Sequence, residues 1–312
     1  MRAAISESYG KIEDVVRVST VDEPALRPTD LWVEVRAASV NPIDWLIVTG
    51  HMRGPSEEAF PLRLGSDGAG VVCAVGSEVT EFKVGDEVYF RVAPDRTGTF
   101  AEFVAVDAAL AARKPASASF VESAGIPLVA LTAWQGLVEQ AEVAAGQRLL
   151  VHGGAGAVGA AVVQLARHFG LHITATAAAE DADYLRELGA DRVVDYRTQA
   201  FEVFPGVYDV VFDTVGGAVQ ERSYAVLARG GTLVSIVGAP DAKQQAYLFD
   251  VQVKPFFMRP DGDQLTRIAE LVDAGALRSR VDSIFPLENV REALTRSASG
   301  RAKGKVVVWT EV

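Results

Sequence analysis

The residues with the plainest chemical capacity are Gly154-Ala155-Gly156-Ala157-Val158-Gly159, a G-x-G-x-x-G segment. In a phosphate-binding turn the first glycine, Gly154, permits the tight bend, and Gly156 lets the backbone approach a pyrophosphate. Gly159 lets the following helix pack closely on the preceding strand, and the helix start around Val158 offers free N–H groups and a positive dipole end to phosphate. A well-packed strand–helix corner could use the same small residues, so the flanking elements decide. RLLVHG (148–153) reads as a short buried strand ahead of the turn. Behind it, Val158, Val162, Leu165, Ala166 and Phe169 form one helical stripe that stops at Gly170. The motif therefore sits where dinucleotide binding needs it.

The choice of dinucleotide turns on what lies about 20 residues further on, where a carboxylate would accept hydrogen bonds from a free ribose 2′-OH and repel a 2′-phosphate. The second strand ends in Thr176-Ala177-Ala178-Ala179, with no acid before Glu180. By exclusion this favours NADP(H), although that stretch has no Arg or Lys to clasp the phosphate. Glu180 and Asp181 suit the start of the next helix; serving the ribose of NAD is the alternative.

Positioning such a turn requires a parallel sheet. HITATA (172–177), RVVDY (192–196), YDVVFDTV (208–215) and GTLVSIVG (231–238) recur as strands, with DADYLRELG (181–189) and QERSYAVLARG (220–230) as helical segments between them. Strands alternating with helices predict a doubly wound α/β domain of Rossmann type, and AYLFDVQV (246–253) extends it as a last strand. The first 122 residues are different. LWVEVRAASV (31–40), GAGVVCAVG (68–76), FKVGDEVYF (82–90) and GTFAEFVAV (98–106) are short strands separated by turn signals, which predicts a mostly antiparallel β domain. After Pro260 come two helices (264–275 and 287–300), joined by a connector, and a last strand, KVVVW (305–309). The expected boundaries are 1–122, 123–258 and 259–312.

Composition removes several classes of function. With 30 Lys+Arg against 41 Asp+Glu the net charge is −11, which opposes nucleic-acid binding. Apolar residues at 49 % and charged residues at 23 % are ordinary for a globular chain. The single cysteine, Cys73, excludes an internal disulfide and a four-cysteine zinc, and the four histidines are scattered. MRAAISESYG lacks the apolar segment of a secretory signal, and no apolar run is long enough to span a membrane. A reducing cytoplasm is the expected compartment.

Seven stretches resemble the medium-chain dehydrogenase/reductase superfamily, most closely its zinc-independent quinone oxidoreductase-like branch of zeta-crystallin type. They are ASVNPIDW (38–45), LGSDGAGVVCAVGSEV (64–79), FKVGDEVY (82–89), GTFAEFV (98–104), GGAGAVG (153–159), LGADRVVDY (188–196) and GRAKGKVVV (300–308). The resemblance implies that the β-rich part is a chaperonin-10-like (GroES-like) catalytic domain, completed by the C-terminal segment, with the nucleotide domain inserted between. Zinc-dependent relatives carry Cys where this chain has Asn41 and His where it has Ser66, and the third ligand is missing around GIPLVALTAW (125–134). Asn and Ser are poor zinc ligands, so no metal is expected. Asp67 remains as an acid expected to make local hydrogen bonds. The resemblance further implies that Asn41 and Thr132 sit beside the nicotinamide, with Asp44 as an orienting group. It places Val237 and Phe249 near the carboxamide end, and Tyr196, with Arg301 as a second candidate, at the 2′-phosphate.

Without a Lewis acid to stabilise an alkoxide, the easier reaction is hydride delivery from NADPH to an acceptor that spreads negative charge by conjugation, a quinone or other conjugated carbonyl. An enone or enoyl double-bond reductase and a cofactor-binding protein with little turnover are the alternatives. Relatives often carry a proton donor two residues after the Asp of NP-x-D; here that position is Leu46, which leaves water, Asp44 or His51. The apolar run 246–253, taken as an edge strand, predicts a homodimer joined by strand pairing.

Overall fold

Strand register places the residues of interest. The computed structural model describes residues 1–52, 60–96, 98–203 and 207–310. The chain divides into two units, Val129–Arg259 and a second made of Met1–Leu128 together with Pro260–Val312. The first segment thus runs past residue 122 to Leu128.

Val129–Arg259 holds a six-stranded sheet in the order Arg192–Asp195, His172–Ala177, Arg148–Val151, Tyr208–Asp213, Leu227–Ser235, Gln252–Pro255, parallel throughout. Arg148–Val151 comes first in the chain yet lies in the middle, because its successors fill one side and then the other. Its C-terminal end is therefore the topological switch point at which open parallel sheets bind ligands. Leu149, Leu150 and Val151 are fully buried, as a central parallel strand requires. The helix Ala157–His168 packs over this sheet with Val162, Val163, Leu165 and Ala166 inward.

The run 246–253 is not one strand. Ala242–Phe249 is a helix, Asp250 takes a left-handed conformation (φ 53°), and the strand is only Gln252–Pro255. Ala, Lys and Gln ahead of Tyr247 favour helix. Tyr247 and Leu248 stay in solvent, at 88 % and 61 % exposure, so their apolar character does not mark a buried strand. Phe249 consequently ends a helix, where it stacks on Tyr224 at 5.8 Å, and does not end a strand. The segment 220–230 is likewise divided: helix Gly217–Ser223, one 3-10 turn, and a strand already begun at Leu227.

The other unit is built on the long strand Asp30–Val40. Its main sheet runs Val281–Pro286, Lys305–Trp309, Asp30–Val40, Asp67–Val75, Glu87–Arg91, Ala111–Arg113, with Phe103–Asp107 also paired to Asp30–Val40. The last strand joins antiparallel to it, Val306 opposite Val40 and Val307 opposite Ser39, so the C-terminal segment completes a sheet begun near the N-terminus. Val281–Pro286, paired parallel to Lys305–Trp309, is a strand where the sequence suggests only a connector. Val33, Val35, Val88, Phe90, Phe100, Val306 and Val308 form the centre of its core.

One buried group makes this fold acid-sensitive. His152 is fully enclosed, with Nδ1 3.2 Å from Thr176 Oγ1 and Nε2 2.9 Å from Ser223 Oγ, edge-on to Phe201. Burial pushes its pKa from 6.5 down to about 4. The unfolded chain thus binds a proton that the native state refuses, and stability is lost as pH falls through that window, by about 3 kcal/mol at 1.36 kcal/mol per unit. Denaturant titrations between pH 7 and 4 should show this slope, and His152→Gln should flatten it; equal slopes would contradict the assignment.

Candidate active site

The glycine turn follows Arg148–Val151 as its sequence requires, but its residues divide the labour differently. The left-handed bend is made by Gly153 (φ 67°), one residue before Gly154. Gly154 is needed for packing: a Cβ there would stand 2.9 Å from Ala175 Cβ. A Cβ on Gly159 would stand 2.3 Å from the Gly153 carbonyl oxygen, so only glycine lets this helix approach its strand. Gly156 is exposed, and a Cβ there meets nothing closer than 3.3 Å. The space above it is open, as a phosphate cradle needs. Gly156 is the N-cap of Ala157–His168 and supplies no side-chain cap, which leaves the first N–H groups to a ligand. Ala155 and Val158 flank it, half-buried.

Beyond the second strand, Tyr196 is 60 % exposed and its N–H donates to the Ala177 carbonyl at 3.2 Å. The guanidinium of Arg197 lies 5.6 Å from the Tyr196 ring centre and donates from Nη1 to both oxygens of Glu180, at 3.1 and 3.0 Å. Arg197, just past the neighbouring strand Arg192–Asp195, places a cation close to the stretch 176–179, which has none of its own. It directly follows Tyr196 in the sequence, and that adjacency was the available signal.

At the ends of the next two strands, buried Asp213 accepts from the N–H groups of Val215 and Gly216, both at 2.9 Å, and from Gln220 Nε2 at 2.7 Å. This fixes the loop beside which Val237 stands half in solvent. Thr132 is buried within the helix Pro127–Trp134, whose continuation Gln135–Gln140 is π-helical. Arg301 is exposed, its N–H 3.2 Å from Ser299 Oγ.

In the other unit a polar cluster is assembled by register. Ser39 pairs with Asp67 and Asp67 with Arg91, while the last strand sets Lys305 next to Val306, the partner of Val40. Pro42 suits the first position of the helix Pro42–Val48, and Asp44 at its third position accepts from the Asn41 N–H at 2.7 Å. The Asn41 side chain donates from Nδ2 to Asp67 at 2.9 Å and, more distantly, to the Ser39 carbonyl at 3.5 Å. Its Oδ1 accepts from Lys305 Nζ. Asp67 also accepts from Arg91 Nη1 at 2.7 Å and from the Leu128 N–H at 3.2 Å. Asn41, Asp44, Asp67, Arg91 and Lys305 are all buried. Burial pushes Asp44 up to about 7 against the pull of the Asn41 N–H, and pushes Lys305 down to about 8 against the attraction of Asp67 and Asp44.

Asn41 is therefore the hub of an internal network and not an open group. Asp67, expected to bond locally, ties three distant segments together. Arg91 and Lys305 escape sequence reading because Lys305 stands 264 residues from Asn41. The sole hint was a charged residue leading the apolar strand KVVVW. His51 is exposed and bonds Thr49 Oγ1 through Nδ1 at 2.8 Å, and Leu46 is half-buried.

The donor set does not fit a zinc ion. The Asn41 amide is committed to Asp67 and Lys305, an ammonium stands beside it, and Ser66 offers only a neutral hydroxyl. Among the described residues no group of three or more His, Cys, Asp or Glu could hold a metal, and no helix is long and apolar enough to cross a membrane.

Comparison with known proteins agrees with this architecture. The alcohol dehydrogenase GroES-like domain matches residues 27–116, and a zinc-binding dehydrogenase domain matches residues 188–308. The chain is 35 % identical to the NADPH-dependent alkenal/one oxidoreductase, chloroplastic, of Arabidopsis thaliana, over 99 % of this chain and 79 % of that protein. It is 34 % identical to the 2-methylene-furan-3-one reductase of Solanum lycopersicum, with the same coverage. The structure of the quinone oxidoreductase from Coxiella burnetii superposes with a TM-score of 0.91 at 29 % identity, covering 100 % of this chain and 99 % of that one.

The turn geometry separates two glycine substitutions. Gly156→Val should leave the melting temperature within a few degrees and weaken dinucleotide binding at least about tenfold, because its side chain enters the open cradle. Gly159→Ala should instead destabilise the fold, since its Cβ strikes backbone. Thermal melts and fluorescence titration with NADPH check both, and a Gly156→Val protein that binds normally would contradict the cradle.

Proposed function

We propose that this chain, which belongs to the zinc-independent, quinone oxidoreductase-like branch of the medium-chain dehydrogenase/reductase superfamily, is an NADPH-dependent reductase of quinones and other conjugated carbonyl compounds. The observation that carries this reading is the position occupied by metal ligands in zinc-dependent relatives, closed here by Asn41, Asp67 and Lys305 in a chain with an open dinucleotide turn. A bound nicotinamide supplies the hydride. An acceptor that delocalises the arriving electron pair onto its own oxygen needs no Lewis acid, only alignment and a favourable potential.

Gly154, Ala155, Gly156, Val158 and Gly159 hold the pyrophosphate. Tyr196 and Arg197 take the 2′-phosphate, with Arg197 exchanging Glu180 for the phosphate, and Arg301 is a second candidate for that charge. Val237 and Phe249 bound the carboxamide end. Asn41 and Asp44 are the residues we assign to the acceptor, and Thr132 the one we assign to the nicotinamide. Leu46 can donate no proton, which favours quinones, whose reduced anions are weakly basic and take a proton from water. The names of the plant relatives favour the enone reading.

The strand Gln252–Pro255 ends its sheet, and exposed Phe257 and Tyr247 lie close to it in sequence. Pairing with a second copy would cover that edge, so the assembly we infer is a homodimer. The exposed free thiol of Cys73 suits a reducing compartment such as the cytoplasm.

Three measurements follow. The kcat/KM for a simple benzoquinone or a 2-alkenone with NADPH should exceed that for a primary alcohol with the oxidised dinucleotide by orders of magnitude; strong alcohol oxidation would overturn the reading. No turnover of any acceptor, with NADPH still bound, would support a cofactor-binding protein. Arg197→Ala should weaken NADPH about tenfold, the loss expected for one charge-assisted contact, and leave NADH nearly unchanged. Light scattering should give twice the 33.2 kDa chain mass, and a monomer at micromolar concentration would count against the dimer.

A further inference from the structure

We propose that Lys305 is the positioning residue of the site: its ammonium locks the Asn41 amide in one of its two orientations and provides the fixed positive charge that a metal supplies in zinc-dependent relatives. The functional half of this proposal rests on the reductase reading above.

The chemistry of the partners sets the orientation. An ammonium has three donors and no acceptor, so the Asn41 atom facing Lys305 Nζ must be Oδ1. An ionised carboxylate only accepts, so the atom facing Asp67 must be Nδ2. The two constraints agree, and reversing the amide would break both contacts among buried groups. Lys305 also withdraws electron density through the amide, which strengthens the Nδ2 bond to Asp67.

The charges are unevenly paired. Arg91 and Asp67 compensate each other directly at 2.7 Å. Lys305 and Asp44 remain, and they are joined through Asn41, whose Oδ1 accepts from one and whose backbone N–H donates to the other. Other charged groups on elements packed against the last strand are engaged elsewhere or exposed. Asp282 binds Arg296 at 2.8 and 2.9 Å and the Lys303 N–H at 2.8 Å; Glu122 binds Ser119; Arg36 pairs with Glu34 at 3.0 Å; Arg291 donates to the Val16 carbonyl, and Glu292 is exposed. When Lys305 loses its proton, its neutral amine can accept as well as donate. The amide is then held by Asp67 alone, its Oδ1 no longer faces an ammonium, and the positive charge is gone. Since Lys305 is held near 8, this release falls on the alkaline side of neutrality.

The experiment is the pH dependence of kcat from 6 to 10 with NADPH and a benzoquinone, for wild type, Lys305→Met and Lys305→Arg. Wild type should lose activity with an apparent midpoint near 8. Lys305→Arg, permanently charged, should keep activity and move that limb upward by at least one pH unit. Lys305→Met should lose at least tenfold in kcat at pH 7, keep KM for NADPH within about twofold, and show no alkaline limb. Wild-type kcat in Lys305→Met, or an unmoved limb in Lys305→Arg, would overturn the proposal, and the arginine variant decides the matter if the methionine variant does not fold. In parallel, the Asn41 side-chain amide resonance should shift between pH 7 and 9 in wild type and stay fixed in Lys305→Arg. That readout needs no turnover. An inactive wild type with the expected shift would count against the reductase reading alone, and a resonance that does not respond would overturn the lock.

Discussion

Among the described residues, the buried ammonium of Lys305 has no directly bonded carboxylate, and the polar cluster around Asn41 is arranged to hold it. Lys305 reaches Asn41, Asn41 reaches Asp67, and Asp67 reaches both Arg91 and the Leu128 N–H. Removing any one member leaves a charge or a polar group stranded where water cannot repair the loss, at a cost of several kcal/mol in comparable buried networks. The strand order assembles these contacts. Lys305–Trp309, Asp30–Val40, Asp67–Val75 and Glu87–Arg91 are successive neighbours, and that order brings the four side chains together. The C-terminal segment, returning to the first part of the chain, supplies Lys305 to the cluster.

The nucleotide-binding unit solves a separate problem with separate means. It contributes little side-chain charge at the phosphate turn and relies on backbone: a left-handed bend at Gly153, an open approach at Gly156 and close packing at Gly159. Arg197, to which the proposed function assigns the 2′-phosphate, is held on Glu180 and Tyr196.

The legibility of these features in the sequence followed the range of the interactions. The parallel sheet, the glycine turn and the final strand KVVVW were readable because local periodicity and turn chemistry determine them. The run 246–253 misled because Tyr247, Leu248 and Phe249 lie on a helix, and apolarity alone does not distinguish helix from strand. The bend at Gly153 was off by one residue because a run of glycines does not show which of them takes positive φ. Arg197 was hidden by one strand crossing. Lys305, Arg91 and the true role of Asp67 were invisible because each meets Asn41 or its partners only through sheet register between remote segments. Asn41 could be singled out from its NP-x-D context, but not its complete burial.

The proposed reading has side chains, and not a metal ion, supply the charge at this site. It is tested most directly by measuring zinc content and NADPH-dependent benzoquinone turnover on one preparation, before and after exhaustive chelation. The expected result is far less than one zinc per chain and turnover that chelation does not change. One zinc per chain, with turnover lost on its removal and restored on its return, would contradict the account.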